Sequence, residues 1–202
     1  MRQDYKIFLE HIKNYSKVID IGCGEGDFLE ILKNEKNCHT FGIELEPERV
    51  AVALGKGISV VQGDADVDLA SYPARDANTG FDYAILANTL QVMKQTKTAL
   101  ENARKISRKV MVSIPNFGYI ENRFHLLFSG RMPVTKQLSY EWFETPNIHF
   151  STIRDFIDLA LRVGFTIDRS YYVDNGGDVK EFSYENSNIA NLFGKSGIFI
   201  LS

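Results

Sequence analysis

The stretch VIDIGCGEGDFL, Val18 to Leu29, limits the fold more than any other part of the chain. A β-branched apolar run leads into Gly22, Gly24 and Gly26, and an amphipathic run with Phe28, Leu29, Ile31 and Leu32 follows. That is a buried strand, a tight turn and a helix. Glycine lets a backbone come close to a ligand where a Cβ would clash, and the helix behind it offers unpaired N–H groups.

The same grammar repeats downstream. HTFGIEL, ISVVQGD, FDYAILA and VMVSI read as further strands, and Phe165–Val173 and Gly197–Leu201 as two last ones. Helical spacing appears in Tyr5–Ile12, PERVAVAL, Thr96–Ser107 and Thr152–Val163. Pro47 stands at a helix first turn, Glu46 and Glu48 complement that helix's dipole, and Gly164 closes the later helix. Strands alternating with helices imply an α/β fold, a Rossmann-like seven-stranded sheet, mostly parallel, with helices on both faces. The last two strands lack a convincing crossover helix, so they are expected as antiparallel neighbours. A length of 202 residues fits one domain, 1–202. The aromatic, turn-rich segment 117–150 after the fifth strand is long for a connection and is expected to cap the sheet's C-terminal edge, where such folds bind ligands.

Spacing narrows the ligand. Asp27 occupies the third glycine position of the dinucleotide fingerprint G-x-G-x-x-G, and no Gly-Lys-Ser/Thr follows Gly26 as a phosphate loop requires. What remains is Asp20 ahead of G-x-G-x-G, a carboxylate suited to a ligand with a cationic end. Glu44, at the end of the second strand, is placed to accept from both hydroxyls of a ribose. Asp64, at the carboxyl end of the third strand, could accept from an adenine amino group, with the Ala65 N–H beside the ring. Ala87 and Asn88 leave room at the end of the fourth strand. The run Asp64, Asp66, Asp68 fails as a calcium loop, because Leu69 and Arg75 replace the turn glycine and the bidentate glutamate.

These motifs together resemble class I S-adenosylmethionine-dependent methyltransferases, over Lys17 to about Ile114. The resemblance implies S-adenosylmethionine, or S-adenosylhomocysteine as product, with Asp20 near the methionine amino group. It also implies the loop Gly22, Cys23, Gly24 and Gly26 against the methionyl and ribose parts, Glu44 at the ribose, Asp64 and Ala65 at the adenine, and Leu45 among the donor-binding residues. A narrower similarity spans nearly the whole chain. SIPNFG, GRMPVTK, W-x-x-TPNIH, TIRDF and NLFGKSGIFIL stand in the order of MetW-type methionine-biosynthesis proteins. That resemblance implies a partner, a homoserine O-acyltransferase subunit, with this chain as its methyltransferase-like companion. A methyltransferase with an unidentified small-molecule or protein acceptor is the alternative.

Methyl transfer asks for an aligned acceptor and sometimes a base. His149 and Tyr140 are the candidates for such a base, though His149 could equally fix the TPNIH turn. Trp142 and Phe143 could wall a pocket or bury the cap. Arg123, Arg131, Lys136 and Arg154 could face an anionic substrate or partner. No G-x-S-x-G elbow is present, so an acyltransferase nucleophile is not expected here. The four histidines lack metal-ligand spacing, so no metal is expected. The net charge of −3, without a basic run, argues against broad nucleic-acid capture. Two cysteines make no disulfide framework, and Cys23 reads as a packing thiol. With no apolar run long enough for a bilayer and no signal-like start, a cytoplasmic protein is expected.

Overall fold

A computed structural model describes residues 1–202 except 77–78, 136–137 and 139. Lys136 therefore lies outside the described residues. The helices are α1 (Gln3–His11), α2 (Asp27–Lys36), α3 (Pro47–Gly55), α4 (Ala65–Asp68), α5 (Thr96–Ile106), α6 (Ile120–Ser129), α7 (Ile153–Val163) and α8 (Asn188–Phe193). The strands are β1 (Lys17–Ile21), β2 (His39–Glu44), β3 (Ser59–Gln62), β4 (Phe81–Ala87), β5 (Ser107–Pro115), β6 (Ile167–Val173), β7 (Val179–Glu181) and β8 (Ser196–Leu201).

They form one sheet in the order β3-β2-β1-β4-β5-β8-β6-β7. The first five strands are mutually parallel; β8 runs antiparallel to β5 and β6, and β7 antiparallel to β6. The order reverses between β1 and β4, the place where open α/β sheets leave a crevice for a ligand.

The period of two along each strand sorts side chains between two cores. Ile19, Ile21, Ala84, Leu86, Val110 and Val112 face the layer that holds α5 and α7. Val18, Tyr83, Ile85 and Met111 face α1 and α2. Burying each large side chain stabilises the fold by roughly 1.5–3 kcal/mol. Asp20 and Ser113 share the parity of Val18 and Met111, which places both on the α1 face. There the Ser113 hydroxyl donates to Asp4 Oδ2 of α1 at 2.7 Å.

α7 has the clearest sequence origin. Ile153, Phe156, Ile157 and Ala160 are buried on one face, Thr152 and Asp155 form a reciprocal capping box, and Gly164 ends the helix at φ 88°.

The antiparallel neighbours at the end of the sheet are as expected, but the sheet has eight strands rather than seven. The additional β7 follows a turn in which the Asp174 carboxylate accepts from the Gly176 and Asp178 N–H groups. Three residues are too few to display a period. The 3₁₀ turn Tyr184–Asn186 and the six-residue α8 also lie between the last two long strands. Segment 117–150 contains α6, which the sequence reading did not identify. β3 stops at Gln62, so Asp64 is not a strand residue; it caps α4, its side chain accepting from the Asp66 N–H.

Asn116, in SIPNFG, stitches these late elements together. It is buried, and its amide donates to the Asn191 and Gly194 carbonyls at 2.9 and 2.7 Å. Its Oδ1 accepts from the Gly118 and Ile153 N–H groups. Asn116→Ala should strand these partners and destabilise the chain by about 2–4 kcal/mol. A lower urea midpoint with an unchanged slope is the expected result; an unchanged midpoint would refute the role.

Candidate functional site

The glycine loop leaves β1 with left-handed backbone. Gly22 has φ +76°, and a Cβ there would meet Thr89 Cγ2 at 2.7 Å, so the loop after β4 presses directly on it. Gly24 has φ +57°, and a Cβ there would meet nothing within 4 Å: the space in front of it is open. The Gly24 N–H donates to Glu44 Oε2 at 2.8 Å, and the Glu46 N–H donates to Glu44 Oε1 at 3.0 Å. Glu44 is thus a buried carboxylate tying the loop to the end of β2. Gly26 stands behind the loop as the N-cap of α2, against Ala53.

In front of the loop opens a cleft of about 730 Å³ along the C-terminal edge of β3, β2, β1 and β4. Of the residues expected at a ligand, Gly22, Cys23, Gly24, Glu44, Leu45, Asp64, Ala65, Ala87 and Asn88 all line it. Its volume lies within the range for small-molecule sites. Each Glu44 oxygen retains acceptor capacity beyond its one backbone donor. Asp64 Oδ1 is engaged by the Asp66 N–H, and Asp64 is half-buried at the rim. Asn88 takes a left-handed φ of 56°, its N–H donating to the Ser113 carbonyl at 3.0 Å. The Cys23 thiol, buried beside acids, has its pKa pushed up to about 12 by burial and remains a thiol.

Asp20 and Gly26 do not line the cleft. Asp20 lies under the loop, 2% exposed, and its Oδ1 is sealed from solvent with no hydrogen-bond partner. Burial pushes its pKa up to about 7; the charge of Arg2 opposes this, and Asp4 and Glu44 add to it. An orphaned buried acid beside an open cleft fits a cationic ligand group.

The sequence reading missed the contribution of the N-terminal helix. Arg2 and Tyr5 both line the cleft. The Tyr5 ring stacks on Phe28 at 4.4 Å, the Arg2 guanidinium lies over Tyr5 at 4.4 Å, and Arg2 Nε donates to Asp4 at 3.1 Å. Thr89, Met93 and Pro146 also contribute walls. An arginine and a tyrosine three apart carry no ligand signature; only the tertiary approach of α1 to the end of β1 gives them a role.

The candidate bases are elsewhere. The His149 N–H donates to the Gln91 carbonyl at 3.0 Å, and His149 lines a separate cavity of about 550 Å³ between α5 and α7. Tyr140 is exposed and borders a recess with Trp142 and Phe150. Neither reaches the cleft. Among the cations, Arg123 is held by the Gly118 carbonyl and Arg154 by Asn188, while Arg131 is exposed. Among the described residues, no group of three His, Cys, Asp or Glu is placed to hold a metal, and no helix is long and apolar enough to cross a membrane.

Comparison with known proteins bears on this site. The profile of the family described as "Methionine biosynthesis protein MetW" matches residues 2–201. The chain belongs to the MetW family. A relative in Rhodopirellula baltica, the bifunctional methionine biosynthesis protein MetXA/MetW, is 29% identical over 196 residues. The match takes in 92% of this chain and 31% of that protein, so the chain spans about a third of its relative's length. Solved structures share the fold, two of them as follows. An S-adenosylmethionine-dependent methyltransferase of Thermotoga maritima has TM-score 0.69 and 18% identity, covering 98% of this chain and 86% of that one. A second, from Archaeoglobus fulgidus, has TM-score 0.70 and 16% identity, covering 97% and 90%. The MetW chain is therefore built on the methyltransferase fold.

Asp20 gives a pH prediction for the free protein. Its folded pKa, about 7, lies above the ordinary carboxylate value of 3.8, so the folded state holds the proton more tightly. Its contribution to stability is complete below about pH 4 and is lost as pH rises towards 7, by at most about 1.4 kcal/mol per pH unit. The stability difference between wild type and Asp20→Asn, from urea unfolding at pH 4 to 8, should slope in that direction. A flat difference would refute the buried-acid assignment.

Proposed function

We propose that this MetW chain binds S-adenosylmethionine in the cleft and acts with, or regulates, a homoserine O-acyltransferase. The observation that carries the ligand half is the pairing of the open space before Gly24 with the buried Glu44 carboxylate. A ribose entering there finds two carboxylate oxygens with spare acceptor capacity, already aligned by backbone donors. An adenine edge would meet Asp64 and the Ala65 N–H in the same cleft. The amino-acid end of the donor would lie towards α1, its carboxylate near Arg2 and its ammonium above Asp20, whose ionised form it would favour. When bound, the donor supplies an activated methyl group on a sulfonium. This chain's own residues bind, orient and enclose it.

Support for the partner comes from the R. baltica relative, whose name joins MetXA and MetW in one bifunctional protein. The proposed ligand is itself made from methionine, so its occupancy would report the supply of end product to an early step of the pathway.

One observation favours a second reading, a methyltransferase with its own acceptor. The cavity lined by His149 lies across the 3₁₀ turn Leu90–Val92 from the cleft, and Gln91 of that turn donates to the Asn88 carbonyl at the cleft wall. Turnover of S-adenosylmethionine to S-adenosylhomocysteine with any acceptor would establish it.

Calorimetric titration tests the ligand. S-adenosylmethionine should bind and NADH should not. Gly24→Arg should abolish binding by filling the open space, and Glu44→Ala should weaken it at least about tenfold, or 1.4 kcal/mol. Binding of NADH in preference would sink the assignment. For the partner, adding this chain to the acyltransferase should raise its activity; no co-purification and no change on mixing would refute that half.

A further inference from the structure

The donor cleft leaves one large feature unused. α6 has ten residues and buries only Asn122. Leu127 is 72% exposed and Phe128 79%, and Phe124 stacks on Phe128 with centroids 5.8 Å apart. Beyond α6, Trp142 and Phe143 meet edge to face and are 70% and 65% exposed. Among the described residues from 120 to 150, only Pro146 lines the cleft.

This is a poor arrangement for an isolated surface. Helices shorter than about 12–15 residues are marginal in water and rely on a packed face for stability. α6 is fastened at its ends instead. Arg123 Nε donates to the Gly118 carbonyl, the Asn122 amide to the Phe117 carbonyl, and Gly130 closes the helix in the left-handed conformation. Its apolar side chains face outward without a packed partner layer. Soluble monomers rarely leave the apolar side chains of one helix face exposed in this way unless something covers them. Aromatic residues and Met beside Arg123 and Arg131 give the composition of an interface core and its rim.

We propose that the outward face of α6, together with Trp142 and Phe143, is the docking surface for the homoserine O-acyltransferase. This rests on the partnership proposed above. The occupant follows from the R. baltica relative, in which the MetW-like part occupies 31% of a protein also named for MetXA. Tethering in one chain gives the two units a high effective concentration and so an opportunity to retain a mutual face. The surface is also wired to the donor cleft. Its segment runs on to Pro146 in the cleft wall, and the Ile148 and His149 N–H groups donate to the carbonyl of Gln91. A partner bound here would rest on the same stretch that contributes Pro146 to the cleft wall.

The test uses the full chain and the acyltransferase of the same organism, mixed and measured by calorimetry and by light scattering on a sizing column. Leu127→Glu and Phe128→Glu change exposed positions. They should leave thermal unfolding and S-adenosylmethionine binding unchanged while weakening the complex at least tenfold. Ile189→Glu, at a position on α8 that is also exposed, at 62%, should bind as wild type does. If wild type binds and both α6 variants bind equally well, the surface is wrong although the partnership stands. If wild type does not bind at all, the partnership falls and this surface with it. If wild type forms a dimer that the α6 variants break without affecting the acyltransferase complex, a second copy is the occupant and the proposal is overturned.

Discussion

One buried carboxylate organises the ligand end of this molecule. Glu44 accepts from the Gly24 N–H on one oxygen and from the Glu46 N–H on the other. Charge-assisted bonds of this kind are about twice as strong as neutral ones, and burial strengthens them further. They set the glycine loop, the end of β2 and the start of α3 in one register. The loop then has little freedom: Thr89 presses on Gly22 from the other side. Such a site is shaped before any ligand arrives, so little binding energy is lost in ordering it.

Asp20 is the counterpart, a group the free fold does not satisfy. It lies on the α1 face of the sheet, near Asp4 and Glu44, with only Arg2 to offset two neighbouring acids. Hydrophobic substitution there would suit the core better, so the acid reads as a stability cost retained for a ligand. The Ser113 hydroxyl bonded to Asp4 ties α1 to β5 beneath the cleft, and the Ser113 carbonyl holds the left-handed Asn88. α1, β4 and β5 thus meet under the ligand's expected amino-acid end.

Much of this was legible in the sequence because it is local. Strands β1 to β5 announce themselves by short β-branched runs, and a residue at a strand end of a parallel sheet has only one edge to occupy. Glu44, the last residue of β2, therefore lines the cleft, while Asp64 and Asn88 reach it from the turns just beyond β3 and β4. Asp20 does not itself line the cleft, because its parity along β1 buries it under the loop on the α1 face. Arg2, Tyr5, Thr89 and Pro146 were missed because tertiary packing alone brings them in. His149 and Tyr140 were chosen for their chemistry, and their backbone sends both away from the cleft. α6 is different: Ile120, Phe124, Leu127 and Phe128 stand at helical spacing, but the run is short and the turn-rich residues around it dominate the segment.

The central claim is that the loop held by Glu44 is an adenosyl-donor site, and a crystal structure with S-adenosylhomocysteine tests it most directly. Both ribose hydroxyls should lie on the Glu44 carboxylate, the adenine against Asp64 and Ala65, and the amino-acid end between Arg2 and the glycine loop over Asp20. A ligand seated instead in the cavity beside His149, or a cleft that remains empty at saturating concentration, would contradict it.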